Sequence, residues 1–225
     1  VLGFFSFTEI TDPKGHREYN DWHSLDHMPE QFSLDGVLFG QRWVCTPECQ
    51  EIRAAVSPQL EACHYMTLYL MSDPSVLPEF ADLAERLRQE DRFFADRRAH
   101  LSGPFDVQER WAAPRVKVSA EVIPFRPSKG IYVVVGPAVD GEALVAHDGV
   151  AGAWSFAAPT SPGADPARQI TVAFIDGDLA ATAAELSQWC LEKPQSGRQP
   201  TEWAGPLAYL DTESCDWFDR LTPQW

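Results

Sequence analysis

The sequence predicts an α+β chain built from two tandem βαββαβ units. Two observations carry that expectation. Three short matches recur in the same order in both halves, and hydrophobic periodicity runs through the same series of strands and helices in each half. The matches are DGVLFGQRWV from Asp35 with DGVAGAWSFA from Asp148, YLMSD from Tyr69 with FIDGD from Phe174, and GPFDV from Gly103 with GPLAY from Gly205. One such match arises by chance. Three in order point to an ancient duplication.

The elements follow in chain order. Residues 1–9 read as a first strand; they are apolar but lack the basic flank and small-residue cleavage site of a leader. A helix is expected from about Pro13, with Asp12 as N-cap, running to about Pro29 or a turn beyond. Residues 37–45 form the second strand, 46–60 a loop with a short helical turn, and 62–71 the third strand. Ser75 caps a long helix on which Leu77, Phe80, Leu83, Ala84, Leu87 and Phe94 keep helical spacing. Residues 105–111 make the fourth strand. In the second half, strands are expected at 131–135, 150–157, 170–176 and 206–211, with helices at 141–146 and 179–191.

The expected division is a first unit over 1–112, a linker over 113–129 and a degenerate second unit over 130–225. Pro114, Pro124 and Pro127 punctuate the linker, although VKVSAEVI within it has the pattern of an edge strand. Such units give two ferredoxin-like sheets, each covered by helices on one face. The bare faces must also be covered, and packing them together within one chain would do it. The space between them is then the natural pocket. Along CHYMTLYLM, Cys63, Tyr65, Thr67, Tyr69 and Met71 would face that cavity, and His64, Met66, Leu68 and Leu70 the helices.

Composition narrows the function. The chain has 225 residues, 44% of them hydrophobic, with Trp 8 and Phe 13, enough for a core and an apolar pocket. A net charge of -15 repels phosphate and disfavours nucleic acid. No apolar run reaches the roughly 20 residues of a membrane helix. Cys45, Cys49, Cys63, Cys190 and Cys215 are odd in number and irregularly spaced, which argues against a zinc ribbon or disulfide framework and fits a reducing cytoplasm. There is no Gly-rich phosphate loop and no Gly-x-Ser-x-Gly. The arginine-rich stretch 85–100, ERLRQEDRFFADRRAH, interleaves both charges and reads as a solvated helix face.

The chemistry concentrates in WHSLDHMPEQ, residues 22–31. On a helix, Tyr19, Trp22, His23, Asp26, His27 and Glu30 share one broad side, while Leu25, Met28 and Phe32 carry part of the core-facing side. Three readings compete. His27 is an acid/base tuned by Asp26, His23 or Glu30. Alternatively His23 and His27 bind a metal or haem iron, with His64 or Glu30 as a further ligand. Or the histidines only cap the helix end. Tyr65 and Tyr69 are candidate donors to a substrate, or ordinary sheet decoration. Arg42 either binds a substrate carboxylate or enolate, or pairs with an acid.

Strand 1 followed by YNDWHSLDHMPE and LDGVLFGQRWV resembles the dimeric α/β-barrel superfamily, most of all its EthD-like and muconolactone-isomerase-like members. Their first helix carries an aromatic pair, then a histidine, any residue and a proline. Trp22 and His23 stand in the place of the pair, His27 of the histidine and Pro29 of the proline. The likeness covers 1–112; GEALVAHDGV in the second half is too short for the histidine helix. The resemblance implies a fused pseudo-dimer with one intact pocket. It implies small apolar, aromatic or polyketide-like substrates and cofactor-independent acid/base chemistry of isomerase, lyase or cyclase type, or cofactor-free oxygenation. Some fused relatives bind haem, and some members have no known activity.

The expectation is thus an enzyme without cofactor or metal, in which His27 is the general acid/base and His23, Asp26 or Glu30 orient it. Trp22, Tyr65, Tyr69 and Arg42 would bind substrate. A haem- or metal-dependent oxygenase and a non-catalytic binding protein are the rivals, and a homodimer of the fused chain is compatible with all three.

Overall fold

Alternation along LGFFSFTEI gives the first strand two different faces, with Phe5 and Phe7 on one side and Phe4, Ser6 and Thr8 on the other. The same two-faced pattern recurs in most strands and allows the sheet to close on itself. The computed structural model describes residues 1–159, 168–192 and 200–210. The strands are β1 (Leu2–Ile10), β2 (Val37–Val44), β3 (Ala55–Val56), β4 (Tyr65–Met71), β5 (Arg97–Ala112), β6 (Gly130–Gly136), β7 (Val150–Ala157), β8 (Gln169–Ile175) and β9 (Trp203–Tyr209). The helices are α1 (His16–Trp22), α2 (Met28–Phe32), α3 (Pro47–Ile52), α4 (Val76–Gln89), α5 (Gly141–Val145) and α6 (Leu179–Glu192).

All strand pairs are antiparallel. The order is β2-β4-β1-β5-β7-β8-β6-β9, and β9 returns to β2, closing an eight-stranded barrel with β3 added outside on β9. Two seams join strands of the first 112 residues to strands from the rest of the chain. The β5–β7 seam runs from Asp106↔Ala157 to Ala112↔Gly152, while β2–β9 has only Trp43↔Tyr209 and Val44↔Ala208.

The barrel is full. Phe5, Phe7, Trp43, Met66, Leu68 and Phe105 meet Val133, Trp154, Phe156, Val172, Phe174 and Trp203 in one buried cluster. This corrects two expectations. The space between the bare faces is core, not pocket. Met66, Leu68 and Leu70 point into that core, while Tyr65, Thr67, Tyr69 and Met71 lie on the helix-covered outer face. The outer face beneath α5 and α6 is also packed solid, with Tyr132, Leu144, Ala153, Ala173, Ala183 and Leu186 in contact. The outer face of the first half differs. Its apolar residues split into two clusters, one around Met71, Phe80 and Leu83 and one around Ile10, Tyr19 and Tyr65.

Asp35-Gly36 and Asp148-Gly149 make equivalent turns into β2 and β7. Each glycine is left-handed, at φ 89° and 88°, a conformation that disfavours any residue with a Cβ.

Several boundaries move. The first helix starts at His16, because the Asp12 carboxylate accepts from Lys14 N in a turn and leaves Gly15 in the capping place. The 46–60 loop contains α3, capped by Thr46, and the short β3. Ser75 makes no side-chain cap; Asp73 accepts from its N–H instead. Phe94 lies beyond α4, which ends at Gln89, and β5 begins at Arg97, eight residues before the expected 105. The stretch 85–100 is therefore helix, loop and strand in succession. Within 113–129 there are two 3₁₀ turns rather than an edge strand. Asp211 and Cys215 fall outside the described residues. No helix among the described residues is long and apolar enough to cross a membrane.

Phe5 and Phe156 meet edge-on at the barrel centre, 4.9 Å apart. Phe5→Ala should cost about 3–5 kcal/mol and shift the urea midpoint of a single transition. Separate transitions for the two halves would contradict a shared core.

Candidate active site

The helical wall over the first-half sheet is one run from His16 to Phe32, but its middle turn is π-helical. Residues 23–27 bulge, and Met28 N donates to His23 O, five residues back. Pro29 supplies a reason. It has no N–H to give, and its ring crowds the carbonyl four residues before it in a regular helix. Widening the preceding turn relieves that conflict. The bulge also matters for direction. Residues four apart drift by about 40° on an α-helix, and a wider turn offsets part of that drift. Tyr19, His23, His27 and Gln31 therefore all line one cavity.

This reverses the expected polarity of the helix. Leu25 is 79% exposed and Phe32 47% exposed, whereas His23 is 3%, His27 7% and Gln31 0% exposed. The ionisable stripe is the buried one.

The cavity lies between β1, β4 and β5 on one side and the two helical layers on the other. Its volume is about 120 Å³, and it is walled by Phe4, Ser6, Thr8, Thr67 and Tyr69 from the sheet, Phe80 and Arg88 from α4, and Phe93 and Arg97. Trp22 stands behind His27, stacked on it at 4.6 Å, and its Nε1 donates to Arg92 O at 2.7 Å. Phe93 meets His27 edge-on at 5.5 Å, and the two imidazoles are 5.2 Å apart.

Both histidines are neutral at ordinary pH. Burial lowers the His27 pKa to about 3; Arg97 adds to the effect and Asp26 opposes it only in part. Burial likewise holds His23 well below its usual range, reinforced by Arg42, His27 and Arg97. Each Nδ1 is buried without a hydrogen-bond partner, as are both amide atoms of Gln31 and the hydroxyls of Tyr19 and Tyr69. Burial pushes the Tyr69 hydroxyl up, so it stays protonated and can donate.

The other expected site residues are placed differently. Arg92 draws Asp26 (2.9 Å) and Glu30 (2.6 Å) to the outer surface, away from the imidazoles. Tyr65 and Arg42 do not line the cavity. They belong to a buried network behind it: Arg42 Nη2 donates to Asn20 Oδ1 (2.5 Å), Asn20 Nδ2 donates to Tyr65 Oη (2.9 Å), and Tyr65 Oη is bonded to His16 Nδ1 (2.8 Å). Arg42 thus has amide and hydroxyl partners, Asn20 and Ser24, instead of an acid. His64 is outside the cavity too; its Nδ1 accepts from Ile10 N, and its ring meets His16.

Sequence reasoning missed Gln31 and Arg97. Gln31 extends the spacing of four from His23 and His27 and was within reach of the pattern. Arg97 carried no such signal, because it comes from a strand expected to be helix. Its guanidinium lies over Phe93 (4.2 Å) and Trp22 (5.6 Å), with no carboxylate at ion-pair distance among the described residues.

The donor set does not fit a metal. Beside the two imidazoles stand Gln31, Thr67, Tyr69 and the cation Arg97, and no three His, Cys, Asp or Glu side chains converge among the described residues. Nor do the walls suit haem: Trp22, Phe93 and His23 already pack around His27, and about 120 Å³ is far too small for a porphyrin.

No family model matches the chain, and no curated protein does. Solved structures do. A chlorite dismutase-like protein aligns over 95% of this chain and 96% of its own, at 10% identity and a TM-score of 0.53. An anthrone oxidase-like protein aligns over 92% and 91%, at 9% identity and a TM-score of 0.51. The chain has the ferredoxin-like α/β-barrel fold. At such identities the likeness establishes the fold alone.

The buried histidines make stability depend on pH. His27 titrates at about 3, and His16 and His64 at about 4, all below the ordinary 6.5. Folded-state values are depressed, so the unfolded chain binds more protons below pH 6.5. Their stabilisation is complete above that pH and is lost as pH falls toward 4, by about 1.4 kcal/mol per pH unit for each proton. The urea midpoint should therefore fall between pH 6.5 and 5, where most carboxylates remain ionised. His27→Gln should flatten that slope; a midpoint constant across this window would contradict neutral burial.

Proposed function

We propose that the chain is a small-molecule enzyme performing cofactor-independent acid/base chemistry on an aromatic or polyketide-like substrate, of isomerase, lyase or cyclase type. One observation carries this reading: two neutral imidazoles and an arginine without an acidic partner among the described residues line the same cavity. His27 takes a proton from an acidic C–H or O–H of the substrate. The electron pair moves onto the adjacent oxygen, and Arg97 stabilises the resulting enolate or phenolate. The imidazolium then returns the proton at another position.

In the free protein His27 is a weak base, held so by burial and by Arg97. Negative charge developing on the substrate oxygen offsets the arginine's field as the proton moves, so the imidazolium is stabilised where the enolate forms. His23, edge-on to His27 at 5.2 Å, takes the orienting role, while Asp26 and Glu30, expected to share it, are held outward by Arg92. Trp22 fixes the His27 ring by stacking, Tyr69 is a donor from the sheet, and Tyr65 and Arg42 support the wall.

The same first step serves cofactor-free oxygenation, in which the substrate anion itself reacts with dioxygen. The solved structure described as anthrone oxidase-like makes this the second reading. The matched turns at Gly36 and Gly149 and the repeated motifs support a tandem duplication: an EthD-like unit over 1–112, a linker over 113–129 and a degenerate unit over 130–225. A cytoplasmic location, with Cys45, Cys49 and Cys63 as buried free thiols, and a homodimer of the fused chain complete the proposal.

Enolisable hydroxylated aromatic ketones incubated in D₂O provide the test, with deuterium uptake followed by NMR and oxygen uptake by electrode. The wild type should accelerate exchange, and His27→Ala should lower the rate by about 100-fold or more. Unaltered exchange in His27→Ala would sink the assignment. Ligand binding with no exchange and no oxygen uptake would leave a binding protein.

A further inference from the structure

We propose that Gln31 and Arg97 together make the cavity selective for an aromatic anion bearing a hydroxyl next to its charged oxygen. The proposal rests on reading the cavity as a substrate site and specifies what that site selects.

Charge comes first. The chain carries a net charge of -15, yet no Asp or Glu among the described residues lines the cavity. The two acids of the histidine helix are drawn away from it: Arg92 holds Asp26 and Glu30 at the surface. Of the two lining arginines, Arg88 is paired with Glu85 at 3.1 Å. Arg97 has aromatic neighbours and no acid among the described residues. A cation kept beside aromatic faces and away from carboxylates is matched to an anion brought by the ligand.

The hydrogen-bond pattern comes next. Gln31 is fully buried, and both Oε1 and Nε2 lack partners among the described residues. A buried amide left so is costly, and a ligand that satisfies both atoms removes that cost. An amide presents one acceptor and a donor on adjacent atoms, so its complement has a donor beside an acceptor. A hydroxyl next to a carboxylate or enolate oxygen has that arrangement. Phe4, Phe80 and Phe93 provide apolar walls for the ring.

Isothermal titration calorimetry with three probes tests this. Salicylate has both the charge and the adjacent hydroxyl, benzoate lacks the hydroxyl, and salicylamide lacks the charge. The wild type should bind salicylate at least tenfold more tightly than either of the others. Arg97→Gln should erase the preference over salicylamide, and Gln31→Leu the preference over benzoate. Gln31→Glu, nearly isosteric, should weaken both anions more than the neutral amide, which separates charge selection from damage to the fold; circular dichroism checks each variant.

Equal binding of the three probes, no saturable binding of salicylate, or variants that keep the wild-type preferences would overturn the proposal. None of these measurements requires turnover. Selective binding without catalysed exchange would sink only the acid/base reading, and exchange without selectivity would sink only this one.

Discussion

Eight strands can close into a barrel only if side chains fill the space they enclose. Here aromatic and branched residues from every barrel strand do so, and the smallest details of placement follow from it. Because Phe5, Phe7, Met66 and Leu68 are committed to the interior, their neighbours Ser6, Thr8, Thr67 and Tyr69 must face outward, toward the helices. A polar cavity therefore has only the outer face of the sheet to occupy. On the second half that face is covered by α5 and α6 through alanines and aliphatic residues in close contact. On the first half a longer helical wall is lifted away, and its apolar contacts divide around the cavity.

That wall keeps groups in place that would prefer water. Burying an imidazole favours its neutral form, and burying an unpaired amide or hydroxyl opposes folding. The surroundings hold the arrangement. Trp22 stacks on His27 and is anchored to the 90–96 loop through its indole N–H. Arg92, in that loop, grips Asp26 and Glu30 on the outer side of the helix. Beneath, the Arg42–Asn20–Tyr65–His16 network fixes the start of the helix to β2 and β4. The carboxylates of the histidine helix thus act as outer anchors, and the imidazoles are held neutral chiefly by burial, with Arg97 next at His27 and Arg42 next at His23.

Much of this was legible in the residues. Period-two alternation located β6 to β8 within about one residue, because each is a short apolar run bounded by turn residues. The Asp-Gly pairs marked both left-handed turns. His23 and His27 announced themselves by spacing, and Gln31 belongs to the same series. The failures have physical causes. Leu25 and Phe32 suggested a buried side, but the histidine stripe is the one turned to the sheet, and residues roughly half a turn from it face solvent. The arginine-rich stretch has helical charge spacing, yet Arg97 and Arg98 extend β5 because Glu9 and Ile10 of β1 offer them a pairing edge. Local propensity loses there to the ladder.

The sequence by itself determined which segments are two-faced, where the chain turns, and that one helix carries an unusual concentration of aromatic and ionisable groups. Those properties are local, set within a few residues along the chain. Only the tertiary structure decided which face of each sheet became core, which side of the helix was buried, and that Arg97 would stand above Trp22, 75 positions earlier, at 5.6 Å. These depend on barrel closure, a constraint shared by strands from both halves and carried by no single stretch of the chain.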